Sequence, residues 1–232
     1  MWIVRIFTLY PEIFPGLLSK GIYGNALKKK IWDLQIINIR DYAEDKHKTV
    51  DDTPFGGGSG MLLKPDVLAK SLDKNTKMGE KIIYLSPKGK TFNQKVAKDF
   101  SKLKTINLIC GHFEGIDERV LISRNIEEIS VGDYILSGGE SASFVFLDAI
   151  LRLLPNVVGN EFSKIEESFE NDLLEYPQYT KPQIWEKKSV PEVLLSGDHA
   201  KIKDWRLSQS KDITRRRRPD LWKKYLNNKE KK

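Results

Sequence analysis

Apolar residues in this chain fall into short continuous runs, separated by segments in which they recur every three or four positions. That alternation is expected of parallel strands buried on both faces and joined by helices. The clearest runs are Ile82, Ile83, Tyr84 and Leu85, ended by Ser86 and Pro87; Ile106, Leu108, Ile109 and Cys110, ended by Gly111; and Tyr134, Ile135 and Leu136, ended by Gly138 and Gly139. Each reads as a buried strand closed by residues that do not continue it. Further strands are expected at residues 1–7 and 34–39. Helical spacing is expected from 8 to 18, with Ile13, Phe14, Leu17 and Leu18 on one face, and over 25–30, 65–73, 92–103, 115–124 and 144–154. The last of these is strongly apolar and is stopped by Pro155.

This pattern predicts an α/β fold. In open α/β sheets ligands bind beyond the carboxyl ends of the strands, and here three such ends carry Gly, Ser or Pro. Small residues let a ligand approach the backbone, whose free N–H and C=O groups can read an adenine or a ribose. Any one of these ends alone is an ordinary turn; the three together point to a pocket. The least regular stretch, 40–60, mixes both charge signs and ends in Gly56-Gly-Gly-Ser-Gly60, a loop that is either unstructured or a cradle for a phosphate or cofactor. It does not fit GxxxxGK[ST], and nothing in the chain fits GxGxxG, which disfavours nucleoside triphosphate and dinucleotide readings.

Composition sharpens the picture at the C-terminal end. The 232 residues carry a net charge of +7, which fits an anionic partner. The pattern changes near residue 160: 161–172 reads as an acidic linker, and 173–232 as a basic, largely helical domain in which Trp205, Arg206, Lys211, Arg215, Arg216, Arg217, Arg218, Trp222 and Tyr225 interleave cations with aromatics. That mixture suits a phosphate backbone with stacking on unpaired RNA bases, against the alternative of a solvated basic tail. One cysteine excludes an intramolecular disulfide and points to a reducing cytoplasm. Cys110, inside an apolar run, reads as an inert thiol. The N-terminus is too short to span a bilayer, and a lone cysteine with three scattered histidines matches no zinc spacing. Acid–base candidates are Glu114 beside the pocket and Glu166, Glu167 and Asp172 in the linker. A linker carboxylate gains a useful pKa only if it closes over the pocket and is partly desolvated. Arg152, near the end of the apolar helix, either offsets the helix terminus or serves a site.

Six blocks carry a resemblance that spans nearly the whole chain: Asp51-Asp-Thr-Pro-Phe-Gly-Gly-Gly-Ser-Gly-Met61, Ile83-Tyr-Leu-Ser-Pro87, Cys110-Gly-His-Phe-Glu-Gly-Ile-Asp-Glu-Arg119, Gly132-Asp-Tyr-Ile-Leu-Ser-Gly-Gly-Glu140, Tyr179-Thr-Lys-Pro182 and Val193-Leu-Leu-Ser-Gly-Asp-His-Ala200. They resemble the bacterial tRNA (guanine-N1)-methyltransferases, the TrmD family of the SPOUT class. The resemblance implies a SPOUT-type parallel sheet with a deep trefoil knot over 1–160, which no pattern argument suggests because knots are rare. It also implies a small helical tRNA-binding domain and a homodimer with its active site at the subunit interface. S-adenosyl-L-methionine would be held by Tyr84, Leu85, Ser86, Pro87, Gly111, Val131, Gly132, Tyr134, Ile135, Leu136, Gly138 and Gly139.

The implied substrate is guanosine 37 in the anticodon stem-loop of tRNA with G at position 36. Glu167 aligns with the family's Asp general base and would take the N1 proton, with Glu166 as its neighbour. Arg152 would offset charge developing on guanine O6, and Glu114 would lie near the methyl donor and help to hold the magnesium ion on which the reaction depends. The chain departs from the family pattern at Ser59, Ala142 and His112-Phe113. Two other readings stand beside this one: an RNA-binding protein without catalysis, and a knotted methyltransferase acting on the ribose 2′-hydroxyl.

Overall fold

The computed structural model describes residues 1–158 and 168–230, and its contacts divide the chain into two compact units, Met1–Gly159 and Asn160–Lys232. The first unit runs β1 (Trp2–Thr8), α1 (Gly21–Lys28), β2 (Trp32–Asn38), β3 (Asp51–Asp52), β4 (Leu62–Leu63), α2 (Pro65–Asn75), β5 (Lys81–Thr91), α3 (Gln94–Ser101), β6 (Thr105–Ile109), α4 (Glu118–Ser123), β7 (Glu127–Ser130) and α5 (Gly139–Leu151). Five strands form one parallel sheet in the order β2-β1-β6-β5-β7, and β3 pairs with β4 in a separate antiparallel ribbon.

The order explains where the helices lie. From β1 to β2 and from β5 to β6 the chain moves the same way across the sheet; from β6 to β7 it reverses. Right-handed crossovers therefore put α1 and α3 on one face and α4 on the other. The two apolar clusters follow this division. Val4, Ile6, Ile83, Leu85, Ile106 and Leu108 face Ala26, Ala97, Phe100 and the Phe146–Ile150 side of α5. Phe7, Ile82, Tyr84 and Ile109 face Val67, Leu68, Leu72, Val120 and Leu121. Alternate residues of each strand serve opposite faces, the period of two that lets a short apolar run fill two cores. Caps fix the helix starts: Asn93 Oδ1 accepts the Val96 N–H at 3.1 Å, and Asp117 Oδ1 accepts that of Arg119 at 2.9 Å.

Three expectations need correction. The helix over 8–18 is instead two short 3₁₀ turns, Pro11–Ile13 and Gly16–Ser19, which bury Phe14 and Leu18 but leave Ile13 and Leu17 exposed. Pro15 has no N–H to extend a helix through this point, and its ring crowds the preceding turn. The strand expected to end at Ser86-Pro87 continues to Thr91, with its pairing to β7 shifting between Leu85 and Lys90. Tyr134, Ile135 and Leu136 form no strand; they lie in an exposed loop, Ile135 at 83% accessible, and the strand there is Glu127–Ser130. An apolar run that lines a cavity has the same sequence signature as one buried in a sheet.

The second unit contains the hairpin β8 (Ile184–Trp185) and β9 (Lys188–Ser189), then α6 (His199–Arg217) and α7 (Pro219–Glu230). Asp198 caps α6, accepting the N–H groups of Ala200 and Lys201 at 3.1 Å each. The helix ends at Arg218 because Pro219 cannot extend it; Pro219 instead opens α7, where its missing N–H costs nothing. Leu173 and Leu221 are buried here, and Thr214 Oγ1 ties the segments by accepting the Leu174 N–H at 2.8 Å and donating to the Ser210 carbonyl at 2.6 Å. Among the described residues no helix is long and apolar enough to cross a membrane.

Candidate active site

The reversal in strand order opens a crevice at the carboxyl side of β5 and β6, the place where doubly wound sheets take their ligands. It holds a cavity of about 360 Å³. Tyr84, Leu85, Ser86 and Pro87 line it from β5, Gly111 and Glu114 from the loop after β6, and Val131, Gly132, Tyr134, Ile135, Leu136, Gly138 and Gly139 from the loop after β7. The structure thus gathers into one hollow all twelve residues singled out for a cofactor, together with Glu114.

Backbone packs on backbone here, which is why the glycines are needed. The Gly139 N–H donates to the Gly111 carbonyl at 2.9 Å. A Cβ on Gly139 would lie 2.6 Å from Cys110 Cα and 2.7 Å from the Gly111 nitrogen, and one on Gly138 would lie 2.4 Å from the His112 ring. A carboxylate clasp lies beneath. Glu140, buried in the first turn of α5, accepts from Thr8 Oγ1 at 2.5 Å through one oxygen and meets His112 Nε2 at 2.7 Å through the other. His112 is thereby fixed in the cavity wall, with Tyr10 edge-on to its ring at 4.9 Å. Cys110 is fully buried; burial first, then the nearby Glu140 charge, push its thiol well above the usual value, so it is not a nucleophile.

The loop carrying Gly56 to Gly60 is stitched to the same wall. Glu114 N–H donates to Met61 O at 2.9 Å and Leu63 N–H to Gly115 O at 3.0 Å, and Gly60 presses so closely on the Glu114 side chain that a Cβ would come within 2.5 Å of it.

Sequence reasoning missed Glu128, Lys88 and Ser130, which also line the cavity. Glu128 is the most informative. Its Oε1 is buried and finds no hydrogen-bond partner among the described residues. Burial, and secondarily this charge, push the Tyr84 hydroxyl up to about 12. The available signal was a carboxylate two residues before the end of a strand that runs into the pocket.

One expected catalytic group is not in this hollow, and another lies outside the described residues. Arg152 sits at the C-cap of α5, its N–H bonded to Asp148 O at 3.3 Å, and is absent from the cavity lining. It follows Gly139 by thirteen positions, roughly 20 Å along a helix. It lies instead beside Tyr23, whose hydroxyl donates to Asp148 Oδ1 at 2.6 Å; burial and then Asp148 raise that hydroxyl's pKa, and the Arg152 charge opposes them. Glu167, with Glu166, falls outside the described residues. Among the described residues no group of three or more His, Cys, Asp or Glu is placed to hold a metal.

Residues 1–224 match the family model described as tRNA (Guanine-1)-methyltransferase TrmD. The chain belongs to this family. Across 228 residues it is 74% identical to a "tRNA (guanine-N(1)-)-methyltransferase" of Pelagibacter ubique, covering 98% of this chain and all of that protein. Proteins of the same name from Bartonella henselae and Wolbachia pipientis are each 52% identical, over 98% and 94% of this chain and 97% and 96% of theirs. Membership in the TrmD family covers both units, so the hollow at the sheet's switch point and the basic helices belong to one enzyme type, a methyltransferase.

Proposed function

We propose that this chain transfers a methyl group from S-adenosyl-L-methionine to N1 of guanosine 37, beside the anticodon, in tRNA with G at position 36. The observation that carries this reading is the hollow with an unpaired carboxylate oxygen in its wall. An unpaired buried acceptor costs about 1–3 kcal/mol, a cost offset when a ligand brings a donor. S-adenosylmethionine brings three kinds, ribose hydroxyls, an adenine amine and an α-ammonium, and Gly111, Gly138 and Gly139 bring backbone to the wall of the hollow. The residues present therefore fit the group. Tyr84, Leu85, Ser86, Pro87, Val131, Gly132, Tyr134, Ile135 and Leu136 complete its enclosure.

When bound, S-adenosylmethionine supplies an electrophilic sulfonium methyl. The protein's part is to hold the guanine in line and to manage a proton. N1 of guanine is protonated at neutral pH, so the N–CH₃ bond forms only as that proton leaves, and Glu167 takes it. Glutamate reaches one methylene farther than the aspartate that the resemblance puts at this position. Arg152 faces guanine O6 and offsets the charge that gathers there as N1 is deprotonated. Glu114 is the carboxylate that would help to hold a magnesium ion, which would supply positive charge beside the substrate.

Arg152 and the hollow lie too far apart to serve one guanine in one copy of the chain. A homodimer removes the difficulty if Arg152 and the linker of one subunit meet the hollow of the other. Exposed Tyr10, Ile13, Leu17, Ile22 and Val145 supply apolar surface for such an interface. In this reading 1–160 is the SPOUT catalytic domain, its chain knotted where the 131–138 loop passes the end of β6. Residues 161–172 form the linker carrying the base, 173–232 bind the anticodon stem-loop, and the enzyme works in the cytoplasm.

The test is methyl transfer from labelled S-adenosylmethionine, with excess magnesium, to two tRNA transcripts differing only in G or A at position 37. Label in the G transcript alone is expected. Label in neither, with cofactor still bound, would leave only RNA binding, and label on a ribose would place the chemistry on the 2′-hydroxyl.

A further inference from the structure

The β8–β9 hairpin is an odd piece of structure for its size. Its four paired residues bury no side chain: Trp185 is 60% accessible and Ile184 is also exposed. A two-stranded ribbon is marginal without a packed face, and a large aromatic on such a ribbon contributes nothing to a core. The turn is also unusual. Glu186 and Lys187 both have positive φ, 46° and 64°, the arrangement of a type I′ turn, but neither is the Gly, Asn or Asp that adopts it readily. Backbone held this way by ordinary residues is found where a site needs it.

What the turn achieves is a juxtaposition. Trp185 pairs directly with Lys188, so the indole and the ammonium project from the same face of the ribbon, their Cβ atoms about 5 Å apart. The hairpin closes one side of a hollow of about 460 Å³, within the range of roughly 300–1,000 Å³ typical of small-ligand sites. Tyr179 and Lys181 line it too. Tyr179 is 49% accessible and leans on Trp205 of α6 with ring centroids 6.2 Å apart, so its ring is anchored and still reachable. The hollow offers two accessible aromatic rings flanked by two lysines.

We propose that this hollow is a subsite for one unpaired nucleotide of the RNA substrate, its base stacked on Trp185 and its phosphate held by Lys188 and Lys181. Flat π-surfaces take any base, and paired cations take the flanking phosphate, so the subsite recognises an extruded or loop nucleotide without reading its sequence. It rests on the reading of this chain as a tRNA methyltransferase and adds a grip on the RNA made by residues of the second unit.

The test uses the full-length protein and an anticodon stem-loop transcript. Trp185→Ala is expected to raise KM for tRNA about tenfold, the usual loss of one stacked base, with kcat and the KM for S-adenosylmethionine unchanged. Trp185→Phe should recover most of that loss. Lys188→Ala should flatten the dependence of log affinity on log salt by roughly 0.7–0.9, one phosphate contact. Transcripts carrying 5-iodouridine at each unpaired position in turn should cross-link to Trp185 at one of them. An unchanged KM for tRNA in Trp185→Ala would overturn the proposal. So would a fall in thermal stability or in oligomer mass without a KM change, because the indole would then be packing against protein. Absence of methyl transfer by the wild-type protein would instead remove the methyltransferase reading, and cross-linking to Trp185 would still judge the subsite.

Discussion

The two ends of the central sheet are built from the same strands and do opposite things. On the carboxyl side, Ser86 and Pro87 of β5 and Gly111 after β6 line the hollow, backbone packs on backbone at Gly139, and Glu128 keeps a buried oxygen without a partner among the described residues. Toward the amino ends, a cluster of buried polar side chains is matched. Arg5 Nη1 donates to Glu80 Oε2 at 2.6 Å and to Asn107 Oδ1 at 3.2 Å, and the fully buried Asn107 donates on to Glu80 and to the Lys81 carbonyl. One end holds polar groups in readiness for a ligand, at the expense of stability. The other uses them to lock three strands together.

If that division is right, substitutions at the two ends should separate binding from stability. The largest effect is expected from Gly139→Ala, because the new Cβ meets only backbone atoms that cannot swing aside. It should cost about 3 kcal/mol or more and abolish cofactor binding, read as a fall in the urea midpoint together with a flat titration. An unchanged midpoint would mean that the close approach is not essential. Glu128→Gln should do the reverse of a structural mutation. Cofactor affinity should fall by roughly ten- to a hundredfold, while the melting temperature stays level or rises, since an unpaired buried charge has gone. Calorimetry and a thermal scan on the same sample decide it, and a drop in both would place Glu128 among the structural groups.

At the opposite end, Arg5→Ala should cost about 2 kcal/mol by leaving Glu80 and Asn107 short of partners, with cofactor affinity within about twofold of wild type. Weaker cofactor binding would show that the two ends are coupled. The smallest effect is in pH. Burial pushes the Glu80 carboxyl up, but the Lys77 N–H, Asn107 and Arg5 outweigh it and hold the group below its usual value. A depressed carboxylate stabilises fully above its unfolded pKa near 4.5 and loses that contribution as pH falls through the folded pKa. Glu80→Gln should therefore flatten the acid limb of stability below about pH 4.5; urea midpoints from pH 3 to 6 that fall equally in both proteins would rule this out.

The parts of the fold legible in the sequence were those whose signature has one physical meaning. Ile82 to Leu85 and Ile106 to Cys110 read as strands because a short apolar run ended by small residues fits a two-faced sheet, and both are strands. The apolar residues of 134–136 gave the same signature for another reason, the enclosure of a hollow, and local pattern does not distinguish the two. Helical spacing does not foretell the 3₁₀ turns at 11–19, because Pro15 interrupts the helix that the spacing implies. In the site, small residues near strand ends pointed to a hollow that the structure shows there. Glu128 escaped notice because its importance lies in a missing partner, which only three-dimensional packing reveals. The distance from Arg152 to the hollow was equally invisible, since it is the length of a whole helix.

The pairing of β1 sets a timetable for the nascent chain. Its first partner, β2, begins some thirty residues later, but its other edge waits for β6, and the Thr8 hydroxyl waits for Glu140, 132 positions downstream. At about 5–20 residues per second, that is on the order of ten seconds during which one edge of the first strand has emerged from the ribosome unpaired. The hollow is thus among the last features of the first unit to close, and a chain released early would present an open strand edge, the feature most prone to join another chain.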